Sequence, residues 1–159
     1  MKGFFAIGVY HPKNELNIGT LWRTAHVFGA AFIYTIGARY RKQSSDTMKT
    51  PNALPLFHFV DIADLREHLP SACPLVGLEL TDAATPAHRH WHLERSCYLL
   101  GAEDHGLPPS ILAQCHAVLK LPGSRSLNVS VAGSLVVYDR WLQAQPERIE
   151  ESMELLEHA

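Results

Sequence analysis

At 159 residues, with 47% hydrophobic and 19% charged residues, the chain has the make-up of one soluble globular domain. No run reaches the 18 or so apolar residues of a membrane span. A net charge of −2 gives no support to tight non-specific binding of nucleic acid. That charge is unevenly spread: residues 1–50 carry seven Lys/Arg against two Asp/Glu, a net of +5 against −7 for the rest. Much of the acid lies in Glu147, Glu150, Glu151, Glu154 and Glu157. Three irregularly spaced cysteines, Cys73, Cys97 and Cys115, suit thiols in a core within a reducing cytosol. They fit neither a disulfide framework nor a zinc motif.

The elements follow in chain order. Phe4–Tyr10 reads as a buried strand; it passes into His11-Pro12-Lys13-Asn14 without a small-residue cleavage site, so it is not read as a signal peptide. Asn17 or Thr20 is expected to cap a helix running to about Phe28 and stopped by Gly29. Ala31–Ile36 reads as a strand and residues 37–55 as a long, basic loop. Strands are expected at Leu56–Val60, Pro74–Leu80, Ser96–Gly101 and Ala117–Leu121. Helices are expected at Asp61–Leu69, at Pro109–Cys115 with proline in the first turn, and at Val129–Gln143. Thr81–Leu93 is left as loop. The alternation predicts an α/β domain with a mainly parallel sheet over residues 1–145, followed by an acidic tail, 146–159.

Such sheets hold ligands beyond the carboxyl ends of their strands, and three of those ends are unusual. Asn17-Ile18-Gly19-Thr20-Leu21-Trp22-Arg23 pairs an amide and a guanidinium across a glycine. By itself it reads equally as a helix cap and a surface arginine. In Leu100-Gly101-Ala102-Glu103-Asp104-His105-Gly106-Leu107-Pro108 two glycines bracket acidic residues, and Glu103 has the chemistry to orient an arginine. Neither the dinucleotide-binding spacing nor a phosphate loop is present, and a decorated turn accounts for it as well. Leu121-Pro122-Gly123-Ser124-Arg125-Ser126-Leu127-Asn128-Val129-Ser130-Val131-Ala132-Gly133-Ser134 leads from a turn, through hydroxyls and an amide, into a helix. Its small residues permit close packing; an ordinary capped helix is the plain alternative.

Taken in order, these three segments resemble the three motifs of the TrmH (SpoU) family of the SPOUT methyltransferase class, over essentially the whole chain. The resemblance implies a Rossmann-like, mainly parallel α/β fold with a C-terminal deep trefoil knot, which composition and periodicity would not suggest. It implies S-adenosylmethionine as cofactor and a homodimer that forms its site near the subunit interface, partly through the first and last helices. It implies 2′-O-methylation of an RNA ribose in the cytoplasm. The length is similar to that of the minimal members, whose substrate is tRNA at the wobble nucleotide; an rRNA ribose, an RNA base, or RNA binding without turnover are the alternatives.

By position, Arg23 resembles the catalytic arginine, Asn17 and Glu103 the residues that position it, and Ser126 and Asn128 the polar pair of the third motif. Leu78, Gly101, Leu121 and Leu127, with Ser126 and Asn128, fall where the family surrounds its cofactor. Arginine, with an ordinary pKa above about 12, is a strange general base, so it either acts in an unusual environment or stabilises a developing alkoxide.

Two further clusters attract attention. Arg39-Tyr40-Arg41-Lys42 with Lys49 suits phosphate contacts and base stacking, and a solvated face as well; the resemblance favours RNA. His88-Arg89-His90-Trp91-His92 has the look of a metal cluster, but reads as a surface loop without an acidic or cysteine ligand at familiar spacing, so no metal is expected. Trp22 and Trp141 are expected at helix surfaces.

Overall fold

A computed structural model describes residues 3–40 and 53–145. Seven strands form one sheet: β1 (Phe5–Tyr10), β2 (Phe32–Ile36), β3 (Leu56–Phe59), β4 (Leu75–Leu78), β5 (Thr85–Pro86), β6 (Ser96–Leu100) and β7 (Ala117–Lys120). Their order across the sheet is β3-β2-β1-β6-β4-β7-β5, and every neighbouring pair is parallel. The helices are α1 (Glu15–Val27), α2 (Ile62–His68), α3 (Pro109–Leu112) and α4 (Val129–Gln143).

Alternation along the strands divides the core into two layers, because successive side chains leave opposite faces of a strand. Phe5, Ile7 and Val9 of β1 point to the face that Ile18, Leu21 and Ala25 of α1 and Val136 and Val137 of α4 cover. Ala6, Tyr34, Leu75, Cys97 and Leu99 point to the other, against Ile62 and Leu65 of α2 and Ile111 of α3. Each large aliphatic side chain so buried contributes about 1.5–3 kcal/mol. Burial also raises the pKa of the Cys97 thiol and pushes that of Cys115 up to about 11, so both stay protonated.

Helices α1 and α4 pack closely. A β-carbon on Gly133 would lie 2.5 Å from Leu21 Cδ1, and Thr24 and Ser134 share a 3.0 Å hydroxyl hydrogen bond between the helices. The small residues at the start of α4 therefore serve close approach, as the sequence suggests.

Several details differ from expectation. Helix α1 begins at Glu15, capped by Asn14, whose side chain accepts from Leu16 N at 2.9 Å; Asn17 and Thr20 lie inside it. The acidic Glu15 behind an asparagine is the helix-start signal, and Asn17 offered a competing one. Trp22 is buried rather than superficial, its indole donating to Leu54 O at 3.0 Å, whereas Trp141 is 39% exposed. Within Thr81–Leu93 the chain forms edge strand β5 and a 3-10 turn, Ala87–Arg89.

The histidine cluster is only partly surface. His92 is buried: its Nδ1 lies 2.6 Å from Tyr98 Oη and its Nε2 3.0 Å from Asp139 Oδ2. Burial lowers its pKa, against the opposing pull of Asp139. Arg140 closes the same corner, donating to Leu93 O and Glu94 O with its guanidinium over the Phe5 ring. Among the described residues no group of three or more His, Cys, Asp or Glu is placed to hold a metal ion. No helix among them is long and apolar enough to cross a membrane.

Candidate functional site

Beyond the carboxyl ends of β4, β6 and β7 lies a cleft of about 680 Å³. Its wall includes Leu78, Gly101, Glu103, Leu121, Ser126, Leu127 and Asn128, which brings the second and third motifs and the end of β4 to one place. A second cavity, of about 570 Å³, sits where β1 begins and α4 ends, and holds none of these residues.

The first motif joins through side-chain amides. Asn17 Nδ2 donates to Glu103 Oε1 at 3.0 Å, and Asn128 Nδ2 donates to Asn17 Oδ1 at 3.0 Å. Asn128 Oδ1 then caps α4, accepting from Ser130 N at 2.9 Å, Val131 N at 3.4 Å and Ser130 Oγ at 2.7 Å. Glu103 also accepts the backbone N–H groups of Lys13 and Asn14, at 3.1 and 3.2 Å, and so ties the start of α1 to the second motif. Burial works against the Glu103 charge, yet the Asn17 amide and these N–H groups outweigh it and hold the carboxyl below its ordinary range. Asp104 pairs with Lys13 at the rim.

Glu103 is thus engaged with Asn17 and the α1 N-terminus and does not grip Arg23. Six residues separate Asn17 from Arg23 on one helix, so their side chains diverge by about 120°. Asn17 is buried and Arg23 exposed. Among the described residues Arg23 has no hydrogen-bond or ion-pair partner, and it is absent from the cleft wall. Any influence of Asn17 and Glu103 on Arg23 passes through the placement of α1. Ser126 and Leu127 are exposed on the wall. Of the basic patch, Arg39 is described and is exposed; Arg41, Lys42 and Lys49 lie outside the described residues, as does the 146–159 tail.

The second-motif turn has a steric logic. A β-carbon on Gly101 would overlap the backbone of Gly106, and Gly106, at φ +63°, faces the Glu79 carboxylate. Gly101→Ala is therefore expected to weaken binding of the S-adenosylmethionine that the sequence resemblance implies at least about tenfold by spreading this turn, since backbone clashes are not relieved by rotamer changes. Titration calorimetry on the folded variant would test it, and wild-type affinity would contradict it.

Glu79 lies outside the three motif segments. Its Oε2 accepts Leu107 N at 2.6 Å and its Oε1 accepts Leu80 N at 3.1 Å, so it braces the turn from the cleft wall. An acidic residue directly after an apolar strand was the available signal.

Residues 5–138 match the SpoU rRNA Methylase family. The chain belongs to that family. Its sheet accordingly carries the SPOUT-type, mainly parallel α/β fold with the family's trefoil knot. The tRNA (cytidine(34)-2′-O)-methyltransferase of Escherichia coli (strain K12) is 41% identical over 86 residues, 50% of this chain and 55% of the relative; the match spans about half of each. A solved structure reported for 2-OH methylation of C/U34 on tRNA superposes with a TM-score of 0.78, covering 91% of this chain and 98% of the other at 24% identity. AviRb of Streptomyces viridochromogenes, a SpoU methyltransferase in complex with the cofactor AdoMet, superposes with a TM-score of 0.76 at 19% identity, covering 91% and 59%. Likeness at these identities speaks for the fold.

Proposed function

We propose that this chain is an S-adenosylmethionine-dependent RNA 2′-O-ribose methyltransferase acting on tRNA in the cytoplasm, at the wobble nucleotide. The observation that carries the reading is the Glu103–Asn17–Asn128 hydrogen-bond chain, which locks all three motif segments together at one cleft. The name of the Escherichia coli relative, with its cytidine 34, supports the choice of nucleotide.

The cleft fits the cofactor. Its volume of about 680 Å³ lies in the range of small-molecule sites, with apolar lining at Leu78, Leu100, Leu119 and Leu127 and carboxylates at Glu79, Glu103 and Asp104. Strand ends at Leu78, Gly101 and Leu121 offer backbone polar groups, while Ser126 and Asn128 offer side-chain ones. Bound there, S-adenosylmethionine supplies an activated methyl group. The protein's task is then to align a ribose hydroxyl and to ease loss of its proton. Arg23 is assigned to the hydroxyl, where a guanidinium stabilises developing negative charge on oxygen. Arg39, Arg41, Lys42 and Lys49 are assigned to RNA phosphates.

A homodimer belongs to this reading. Leu16 (62% exposed) and Val27 (66%) flank Arg23 on the outer face of α1, and Val131, Leu135 and Tyr138 form an exposed apolar row on α4. A face of this kind suits a subunit interface. Covering it with a second copy would bring an Arg23 from outside to a cleft that its own subunit leaves without one.

Purified protein, labelled S-adenosylmethionine and tRNA from cells lacking the gene should give label at the position-34 ribose, mapped by nuclease digestion and nucleoside mass spectrometry. Label confined to an rRNA ribose would move the substrate to rRNA, and label on a base would change the reaction. No transfer to any RNA despite cofactor binding would leave an RNA-binding module.

A further inference from the structure

Three carboxylates line the cleft, and they differ in burial and in the donors they already accept. Glu103 is exposed and accepts three N–H groups, from the Asn17 amide and the backbones of Lys13 and Asn14, while Asp104 is paired with the Lys13 ammonium and lies 3.1 Å from His105 Nε2. Glu79 is different. It accepts two backbone N–H groups and, among the described residues, has no cationic partner. Lys120, the cation on the same stretch of wall, donates instead to the carbonyls of Thr81 and Asp82, at 3.1 and 3.2 Å. Glu79 is also held in place: Leu107 N and Leu80 N fix its two oxygens, and the Gly106 backbone lies against it. A half-buried carboxylate on a cleft wall, hydrogen-bonded through both oxygens and without a cationic partner among the described residues, is a site for positive charge, because partial exclusion of water strengthens the attraction.

We infer that Glu79 reads the charge of the cofactor, favouring a sulfonium over the thioether that methyl transfer leaves behind. The inference rests on the function proposed above. In that reaction the sulfur–methyl bond breaks with its electron pair staying on sulfur. The methyl carbon bonds to the ribose oxygen, and the hydroxyl proton passes to solvent. The cofactor therefore loses one positive charge in the cleft while Glu79 keeps its negative one. Attraction present before transfer and gone after it helps to exchange product for fresh cofactor.

Glu79→Gln keeps the size and one acceptor but removes the charge. Calorimetric titration with three ligands separates charge reading from bracing: S-adenosylmethionine, sinefungin, which carries an ammonium-bearing carbon in place of the sulfonium, and S-adenosylhomocysteine, whose sulfur is neutral. The two cationic ligands should weaken by about tenfold in the variant and the neutral one by less than about threefold. A purely structural brace would weaken all three by the same factor, and that result, or no shift at all, overturns the assignment. Glu79→Asp, which keeps the charge but shortens the reach, should weaken all three ligands while retaining the wild-type preference among them; a lost preference counts against charge reading. If neither variant folds, Glu79 is a folding residue and the inference fails. Wild-type protein that binds none of the three ligands defeats the functional reading itself, whereas equal shifts defeat this inference alone.

Discussion

Arg23→Ala is expected to slow RNA methylation at saturating cofactor by about a hundred- to a thousandfold, the loss seen when a single donor to a developing oxyanion is removed. S-adenosylmethionine should still bind within about twofold of wild type, because Arg23 is not part of the cleft wall. Thermal stability should hardly move. Arg23 is exposed and has no polar partner among the described residues, so truncation leaves no buried group unsatisfied and opens no cavity. The separation matters, since few residues near a site can be removed without disturbing its frame. Arg23→Lys should recover only part of the rate: an ammonium supplies charge without the planar fork of donors. Single-turnover methylation of tRNA, calorimetry and a melting curve together check the claim. Alanine protein that keeps most of its rate would remove Arg23 from the chemistry. Lost rate with equally lost cofactor affinity would instead place it at the cleft.

Local signals in the sequence were read well where one physical cause dominated. Helix α4 runs Val129–Gln143 as expected because Asn128 is a strong cap and the apolar period beyond it is unbroken. The start of α1 was misplaced because Asn14 and Asn17 both carry cap chemistry. Only the tertiary contact to Glu103 shows that Asn17 is used as a side-chain bridge inside the helix. Strand β5 is two residues long and contains Pro86, so neither alternation nor propensity could reveal it. His92 looked like loop because its partners, Tyr98 and Asp139, lie on two other elements.

At the level of topology the sequence is quieter still. Placing β6 between β1 and β4, and β7 between β4 and β5, makes neighbours of strands far apart in the chain, against the usual tendency of consecutive strands to lie side by side. The knot was expected only from family resemblance. The same holds for the site. The motif residues were identifiable in order, but the divergence of Asn17 and Arg23, and the brace at Glu79, depend on how the strand ends meet.

Asn128→Ala should fail differently from Arg23→Ala, and the difference makes a test of how the site is built. Its side chain caps α4 and donates to Asn17, so its loss leaves Ser130 N and Val131 N uncapped and Asn17 Oδ1 without its donor. A lost cap costs about 1–2 kcal/mol, and here the uncapped turn is also cleft wall. Cofactor affinity and turnover should therefore both fall, each by about tenfold or more. If each site draws Arg23 from one subunit and its cleft from the other, the two defective variants should complement. Co-expression with different affinity tags gives mixed dimers in which one site combines an intact cleft with an intact Arg23, while the other site has lost both. When about half of the dimers are mixed, each with one working site of two, activity should return to about a quarter of wild type. If Arg23 instead served the cleft of its own subunit, both sites of every mixed dimer would stay impaired. The doubly tagged fraction would then be no more active than the average of its parents. Recovery of activity would show, from two impaired chains, that the outward face of α1 belongs to the neighbouring active site.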